Sequence, residues 1–544
     1  MAGDSGCRLE NFNVKLKSME PSPLRPATVV IHGGPTLEGR PLTREDLPEV
    51  SVRAMAGWKS LARRIRGPFA IIAVSPQTAV AVTDLMGSRP VFRNESGTAP
   101  VFGDSLASVT SGRKLVLRTQ AVARYLAFGN VGGVCSFVDG VRTLPGAAVS
   151  IWDGSQARTE SWFDWAAELQ PVEAPVEELE KQFLSLFQSW VETRLPKTGQ
   201  IALLLSGGTD SGLLAALLQP LLGDRLLCIT QDFLLRRYSE RDDAQETARR
   251  VGARMHVASI GRRGYFRAFS KMNSPSQNMP VYLSEAQTLY CLSQVAMNLG
   301  IETIIHGWNA DFLFLGQGHF FNGFPPDGAE YLRSISRLKP EEKMKWVAPR
   351  PAAPTELSVQ LLAALAISKE TYGYWVDEFV EWRIRQLEGL AQILDLPKLQ
   401  QASCQLDFGV SWQLEPGAVM QALPGCRLVS PFIDSEIVRF GFRLPTGLFY
   451  QEGQSKYFLR RLFKARTELV RVKRPASLSP LRYWRYVPSL GEHLAVSPSL
   501  RALHRHFLLR NLVKLGALYT PLTKLSALGR WMQSHQVSLP ERSE

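Results

Sequence analysis

Ile201-Ala-Leu-Leu-Leu-Ser206-Gly-Gly-Thr-Asp210-Ser211 decides the reading of this 544-residue chain. Five apolar residues form a buried strand. Ser206 to Ser211 then make a sharp, glycine-softened turn into an apolar helix, Gly212 to Leu218. Such a turn presents backbone N–H groups and two hydroxyls to an anion at a helix N-terminus. Asp210 can hold Mg²⁺ against the same phosphate. No lysine follows the glycines, so this is not the GxxxxGK[ST] loop of kinase-like NTPases. Glycine-serine turns after strands are common, and Gly33-Gly34 reads as a turn and nothing more. Here a strand, a six-residue loop and a helix coincide, which gives the functional reading its weight.

Strand–helix alternation continues outward from this stretch. Arg225 to Thr230 reads as a second strand, Ser239 to Val251 as a helix with Ser239 and Asp242 at capping-box spacing, and Arg254 to Ser259 as a third strand. Leu283 to Leu299 is a helix, and Glu302 to Ile305 a fourth strand running into His306-Gly-Trp-Asn-Ala-Asp311. The pattern predicts a parallel α/β sheet with ligands at the C-terminal ends of its strands. The first 160 residues are β-rich instead. Phe69 to Val74 and Ala79 to Thr83 are strands around Ser75-Pro76-Gln77, Ala121 to Phe128 is a short helix, and Ala147 to Trp152 is another strand. A polar link follows, from Glu168 to Glu178. Beyond it Leu179, Phe183, Leu186, Phe187 and Trp190 share one helical face between Val176 and Leu195. Residues Gly318 to Pro354 read as a loop, and the chain beyond Glu356 as mostly helical.

Composition is that of a globular protein, with 45% hydrophobic and 21% charged residues, and the length suits two or three domains. No apolar run reaches the roughly 18 residues of a membrane span. The N-terminal stretch lacks the basic and apolar regions of a signal peptide, so none is expected. Six cysteines, Cys7, Cys135, Cys228, Cys291, Cys404 and Cys426, form no CxxC pair, which disfavours zinc and disulfides and fits a reduced, cytoplasmic setting. The net charge of +13 gathers late, in Arg460, Arg461, Lys464, Arg466, Arg471, Lys473 and Arg474. A solvated basic face and an attraction for ATP, acidic peptide or RNA explain it equally.

The SGGTDS turn resembles that of the PP-loop ATP pyrophosphatases, which split ATP between its α and β phosphates. Three further runs are similar to segments of the asparagine synthetase-like amide-forming superfamily: HGWNADFLFLGQ (His306 to Gln317), VSPFIDSEIVRFGFRLP (Val429 to Pro445) and GQSKYFLRRLF (Gly453 to Phe463). GPFAIIAVSPQTAVAVTDLMGSRPVF, YLAFGNVGG and GVRTLPGAAVSIWDG resemble the family's glutaminase-type domain. The resemblance implies an N-terminal αββα glutaminase-like sandwich over 1–165. A PP-loop ATP pyrophosphatase domain with a parallel sheet and a helical C-terminal part would follow over 176–544. The glutaminase nucleophile is a cysteine directly after the initiator methionine. Ala2 stands there and Cys7 is out of register, so this domain is expected not to hydrolyse glutamine. A chain of that kind uses an amine its substrate already carries, as β-lactam synthetase and the lasso peptide cyclases do. Glu10-Asn-Phe-Asn-Val-Lys-Leu16 and the Gln200–Leu205 strand look closer to a lasso cyclase of the microcin-processing type.

The resemblance implies ATP and Mg²⁺ as cofactors. Asp210 and Asp311 would be the metal carboxylates, although a helix N-cap is the plain alternative for Asp311. Ser206, Gly207, Gly208 and Ser211 would cradle the phosphates, Gly307 would let the backbone approach the nucleotide, and Leu204 and Ile229 would flank the adenine. Lys456 matches the superfamily lysine that stabilises charge on the α-phosphate. Phe312 replaces the family's GADE glutamate, and Trp308 stands where a polar group is sometimes found. Glu285 is then a candidate base, His306 a structural residue or a contact, and Asp434 a support for a nearby loop. The expected reaction is macrolactam closure. An Asp or Glu side-chain carboxylate is adenylated, and the α-amine of a leader-freed core peptide attacks it, releasing AMP. This implies a leader peptidase and a leader-binding partner, with no nucleic acid and no transmembrane segment. A β-lactam synthetase-like or asparagine synthetase-like small-molecule ligase, a tRNA-base adenylating enzyme and an inactive peptide-binding scaffold are the alternatives.

Overall fold

A computed structural model of the chain describes residues 13–15, 28–48, 50–75, 78–97, 100–132, 136–232, 240–316, 337–349, 351, 362, 367–406, 409, 413–451, 454–470, 524 and 527–537. The N-terminal part contains two antiparallel sheets. One orders β1 (Asn13–Lys15), β6 (Val101–Gly103), β5 (Phe92–Asn94) and β7 (Val141–Thr143). The other orders β9 (Ala157–Ser161), β8 (Ala148–Trp152), β4 (Ala79–Thr83), β3 (Ala70–Val74) and β2 (Thr28–His32). All five residues of β3 and of β4 are buried, because the second sheet is an inner layer. Ala70, Ile72, Val74, Ala79 and Ala81 meet Phe102 of the first sheet and Val91, just before β5. Ile71, Ala73, Val80 and Val82 instead share a core with Trp58 and Leu61 of helix α1 (Met55–Arg64). Phe92 packs with Leu106 and Val109 of α2 (Leu106–Thr110) and with Val122 and Tyr125 of α3 (Thr119–Phe128). Two-residue alternation thus serves two cores at once, and the result is the expected αββα sandwich. Pro76 and Gln77 of the expected turn, like Ala2 and Cys7, lie outside the described residues.

Helix α4 (Val176–Arg194) leads into the second part, with Leu179, Phe183, Phe187 and Trp190 buried and Leu186 half-buried. There a wholly parallel sheet runs β12 (Arg254–Ser259), β11 (Leu226–Asp232), β10 (Ile201–Leu204), β13 (Thr303–Ile305), β14 (Arg427–Val429). Its crossover helices are α5 (Thr209–Leu222), α6 (Arg241–Val251), α7 (Arg262–Lys271) and α8 (Ser284–Asn298). The chain winds outward from β10 through β11 to β12, then returns to lay β13 on the other side of β10. The crevice between the ends of β10 and β13 is therefore a topological switch point, where α/β sheets hold ligands.

Two sequence expectations are corrected. Helix α6 takes Glu240 as its N-cap, with no side-chain cap bond, and Ser239 lies outside the described residues. The stretch read as a loop from Gly318 to Pro354 contains helix α10 (Pro340–Val347). Pro340 occupies its first turn, where no N–H is needed, and the Glu342 carboxylate accepts from the Lys339 N–H at 2.8 Å. Residues 317–336, 350 and 352–354 are outside the described residues.

The C-terminal part is helical as expected, with α9 (Ala310–Leu313), α11 (Lys369–Ile393), α12 (Leu396–Leu406), α13 (Pro416–Ala422), α14 (Ser435–Arg443) and α15 (Tyr457–Thr467). It grips the N-terminal sandwich. Gln120 and Arg124 of α3 bond to Glu378 of α11 at 2.6 and 3.2 Å, and Arg443 reaches Glu168 at 2.7 Å. Helical residues 527–535 bury Trp531 completely; its indole donates to Gln277 O at 3.0 Å and its ring lies 5.5 Å from that of Phe137. Among the described residues no helix is long and apolar enough to cross a membrane.

Candidate active site

The loop after β10 curls around its own hydroxyls. The Ser206 N–H donates to Ser211 Oγ at 3.0 Å, the two serine hydroxyls lie 2.8 Å apart, and the Gly208 N–H donates to Ser206 Oγ at 3.1 Å. Leu205 N–H donates to Ile229 O at 2.9 Å, which ties the loop to β11, where Leu204 and Ile229 are register partners. Gly208 caps α5, whose first-turn N–H groups lack intrahelical acceptors. Gly207 is obligatory for packing: a Cβ there would lie 2.7 Å from that of Asp243 in the first turn of α6.

The second strand end supplies Asp311. After Ile305 the chain passes buried His306 and Gly307 to Asn309, which adopts a left-handed φ of 76° as the N-cap of α9. The Asn309 amide donates to Phe432 O at 2.7 Å and holds that turn. Asp311 is thus inside the first turn of α9, and the N-cap alternative for it is overturned. Gly307 has no side chain at the point where a Cβ would stand 3.3 Å from that of Asp210, so the two strand ends close on each other.

Lys456 joins them from the far end of the chain. It follows a short hairpin, Tyr450–Gln451 with Gln454–Ser455, and caps α15 in a left-handed conformation, φ 55°, that a lysine adopts at a cost. That backbone turn delivers the side chain inward, leaving Lys456 6% exposed. Its ammonium donates to Asp210 Oδ2 and pairs with Asp311 Oδ1 at 2.9 Å. Burial works against the charged ammonium, but the two carboxylates outweigh it and raise its pKa. Arg460, one helical turn on, donates to Ser455 O at 2.8 Å and stands in the field of the same two carboxylates.

The chemistry of this donor set fits a hard cation. Asp210 Oδ1 is buried and, among the described residues, makes no hydrogen bond. Mg²⁺ is commonly held by one or two carboxylates with phosphate oxygens and water completing its shell. Among the described residues there is no cluster of three or more His, Cys, Asp or Glu suited to a metal, and Asp210 and Asp311 are two carboxylates of the kind Mg²⁺ takes.

Beside Gly307 lies a feature that sequence reasoning missed. The Trp308 indole donates to Glu415 Oε2 at 3.0 Å, and Ser430 Oγ donates to Trp308 O at 2.8 Å. Burial pushes the Glu415 carboxyl up to about 7, the Glu285 charge adds to the shift, and the indole bond opposes it. Glu285 is exposed in the first turn of α8. The only signal in the sequence was an acidic residue before Pro416, a helix-start pattern. His306 is a buried neutral imidazole, its pKa lowered to about 3 by burial. Asp434 caps α14 and pairs with Arg194 at 3.3 Å, as a supporting residue would. Of the basic run, Arg461 is engaged by Glu177 and Glu180 at 2.8 Å each, and Arg471, Lys473 and Arg474 lie outside the described residues.

A switch-point crevice with a glycine loop at a helix N-terminus, two carboxylates and a buried lysine marks the candidate active site of an α/β protein. The asparagine synthase family matches residues 182–531, and this chain belongs to that family. Enzymes of the family use ATP, and their activity is ATP-dependent carbon–nitrogen ligation. The chain is also 31% identical over 132 residues to the GMP synthase (glutamine-hydrolyzing) of Chlamydia caviae and 28% identical over 132 residues to that of Chlamydia muridarum. Each match covers 24% of this chain and 24% of the relative, so the chain spans about a quarter of the length of the curated relatives it matches.

Proposed function

We propose that this chain is an ATP-dependent macrolactam synthetase of the lasso peptide cyclase type, with residues 1–165 as a glutaminase-like domain and 176–544 as the synthetase. The observation that carries the ligase chemistry is the convergence of Asp210, Asp311 and Lys456 at the switch point. Ser206, Gly207, Gly208 and Ser211 hold the phosphates, Gly307 lets the nucleotide approach, and Leu204 and Ile229 bound the adenine. Asp210 and Asp311 would hold Mg²⁺, which neutralises phosphate charge when bound. A peptide side-chain carboxylate oxygen attacks the α-phosphorus, the bond from that phosphorus to the bridging oxygen breaks, and pyrophosphate leaves. Lys456, buried and fixed, meets the negative charge that develops there. The peptide α-amine then attacks the acyl carbon, the acyl–phosphate bond breaks, and AMP leaves.

Glu415 accepts the amine proton. Its carboxyl titrates near neutral pH, which suits a base that must take up and release a proton in each cycle. Glu285, the base candidate from sequence, acts on Glu415 through its charge. Phe312 and Trp308 in place of family polar residues support an amine carried by the substrate itself. The expected partners are a precursor peptide, a leader peptidase and a leader-binding protein, in a cytoplasmic setting. Buried thiols at Cys228, Cys291 and Cys426, each pushed up to about 12 by burial, fit a reducing compartment.

The test is to incubate the protein with ATP, Mg²⁺ and synthetic linear peptides. Each peptide carries a free α-amine, a blocked C-terminus and one Asp or Glu side chain at varied spacing. A product lighter by one water, with AMP and pyrophosphate, is expected. ADP and phosphate would refute the mechanism, and amide formation only with small amines would refute the peptide substrate.

A further inference from the structure

We infer that Lys524 is a positioning residue for amine capture, seating Tyr282 between the N-terminal sandwich and the Glu285–Glu415 carboxylate pair. The inference rests on Glu415 being the proton acceptor. Lys524 is 7% exposed. Among the described residues its ammonium meets Leu126 O at 3.0 Å and the ring faces of Tyr282 and Tyr125 at 5.4 and 6.0 Å, and no carboxylate. An ammonium taken out of water without a counter-charge costs several kcal/mol, and a carbonyl with two rings returns only part of that. A methionine would fill the same space at less cost.

What the charge holds is Tyr282. The Tyr125 ring meets Tyr282 edge-on, 5.5 Å between centroids, and the Tyr125 hydroxyl donates to Lys524 O at 3.3 Å. On a third side stands Gly129, the left-handed C-cap of α3 with φ 82°. A Cβ there would fall on the Tyr282 hydroxyl and lie 3.2 Å from its Cζ. The backbone before the ring is pinned as well: the Asn273 side chain accepts from Val281 N–H and donates to Val281 O, both at 2.9 Å. The ring is thus wedged by one residue of the C-terminal segment and two of the sandwich.

Tyr282 also opens the turn into α8, three residues before Glu285. Its hydroxyl stands in the field of both Glu285 and Glu415, and burial and those two charges push its pKa upward. Glu415 is in turn fixed by Trp308, whose neighbour Gly307 closes on Asp210. Contact thus joins Lys524 to Tyr282, the charges of Glu285 and Glu415 act on the Tyr282 hydroxyl, and Glu415 contacts Trp308 beside the crevice. Lys524 touches none of the reacting atoms. It sets where the acceptor pair stands.

The experiment compares full-length Lys524→Met, Lys524→Arg, Gly129→Ala and Glu415→Gln with the parent. Two quantities are read: ATP–pyrophosphate exchange, which reports adenylation, and AMP released per amide formed with the peptide panel. Lys524→Met should keep exchange within about twofold, while amide formation falls about tenfold and AMP is released by hydrolysis instead. Lys524→Arg, which retains the charge, should restore most of the loss. Gly129→Ala should reproduce Lys524→Met, because it evicts the same ring from the opposite side. A parental ratio of AMP to amide in Lys524→Met overturns the inference, as does exchange that falls in step with amide formation. Glu415→Gln with undiminished amide formation, or a parent that activates no peptide, refutes the reading beneath it. A deficient Glu415→Gln beside a normal Lys524→Met removes the Lys524 role alone.

Discussion

Gly316→Ala should disable the enzyme without removing a polar group. A Cβ on Gly316 would fall on Lys456 Cε and Asp311 Oδ1 and lie 2.7 Å from Lys456 Cδ. The backbone has little room to retreat, because Gly316 N–H donates to Asp311 O at 2.8 Å and Leu315 is held at a left-handed φ of 51°. The lysine side chain must therefore leave the crevice, breaking its bonds to both Asp210 and Asp311. Overpacking of this kind costs about 1–3 kcal/mol of stability, part of it offset as the three charged groups regain water. The kinetic cost is larger. Loss of a preorganised charge at a developing anion lowers the rate about 10²–10³-fold, or roughly 3–4 kcal/mol of barrier. ATP–pyrophosphate exchange measures the rate, and thermal unfolding confirms the fold. Lys456→Ala should show a similar loss, and the double variant should be no worse than either single one, since both act through one ammonium. Exchange by Gly316→Ala within about threefold of the parent would refute the assignment of Lys456 to the charge-stabilising role.

Glu415→Gln should lower amide formation by about 10²-fold or more while leaving exchange intact, and parental amide formation should rise with pH through about 7. The same carboxyl makes a stability prediction. Its folded pKa of about 7 lies above the ordinary 4.5, so its contribution is complete below that value and is lost as pH rises through about 7, a penalty of about 3 kcal/mol. Urea unfolding should find Glu415→Gln more stable than the parent at about pH 8 and unchanged at about pH 4. Gly207→Ala, whose Cβ would stand 2.7 Å from that of Asp243, should distort the phosphate cradle and weaken ATP binding about tenfold by calorimetric titration. Trp531→Ala removes a fully buried indole and its bond to Gln277, and should cost about 3–5 kcal/mol of unfolding free energy.

The parallel sheet was legible because its strands are short apolar runs that end in unusual polar loops. Arg254–Ser259 matches the expected strand residue for residue, the bounds of the other three expected strands move by one or two positions, and the fifth strand, Arg427–Val429, was not expected. The sandwich was legible from β3 and β4, although their unbroken apolar texture conceals which residue faces which layer. Asp210, Asp311 and Lys456 could each be picked out by local motif, but their meeting depends on strand order, which no window of sequence contains. Helix α10 escaped notice because its charged residues and Pro340 mimic a loop; the capping geometry that rescues it is a short-range signal passed over. Glu415 was missed for a different reason. Its character comes from burial and from Trp308 and Glu285, each more than a hundred residues away in the chain. Gly316 and Gly129 lie inside the HGWNADFLFLGQ and YLAFGNVGG runs, but only the atoms opposite them explain why a side chain is absent there.

The hydrogen bond from Lys456 to Asp210 closes a chain separation of 246 residues, and that from Tyr125 to Lys524 a separation of 399. Contacts between such distant positions form late, after the intervening loops have found their places. Competence to adenylate should therefore appear near the end of folding, well after helix content has saturated. During synthesis on a ribosome, the nascent chain would stay inert until residue 456 had emerged, which keeps half-made enzyme from consuming ATP.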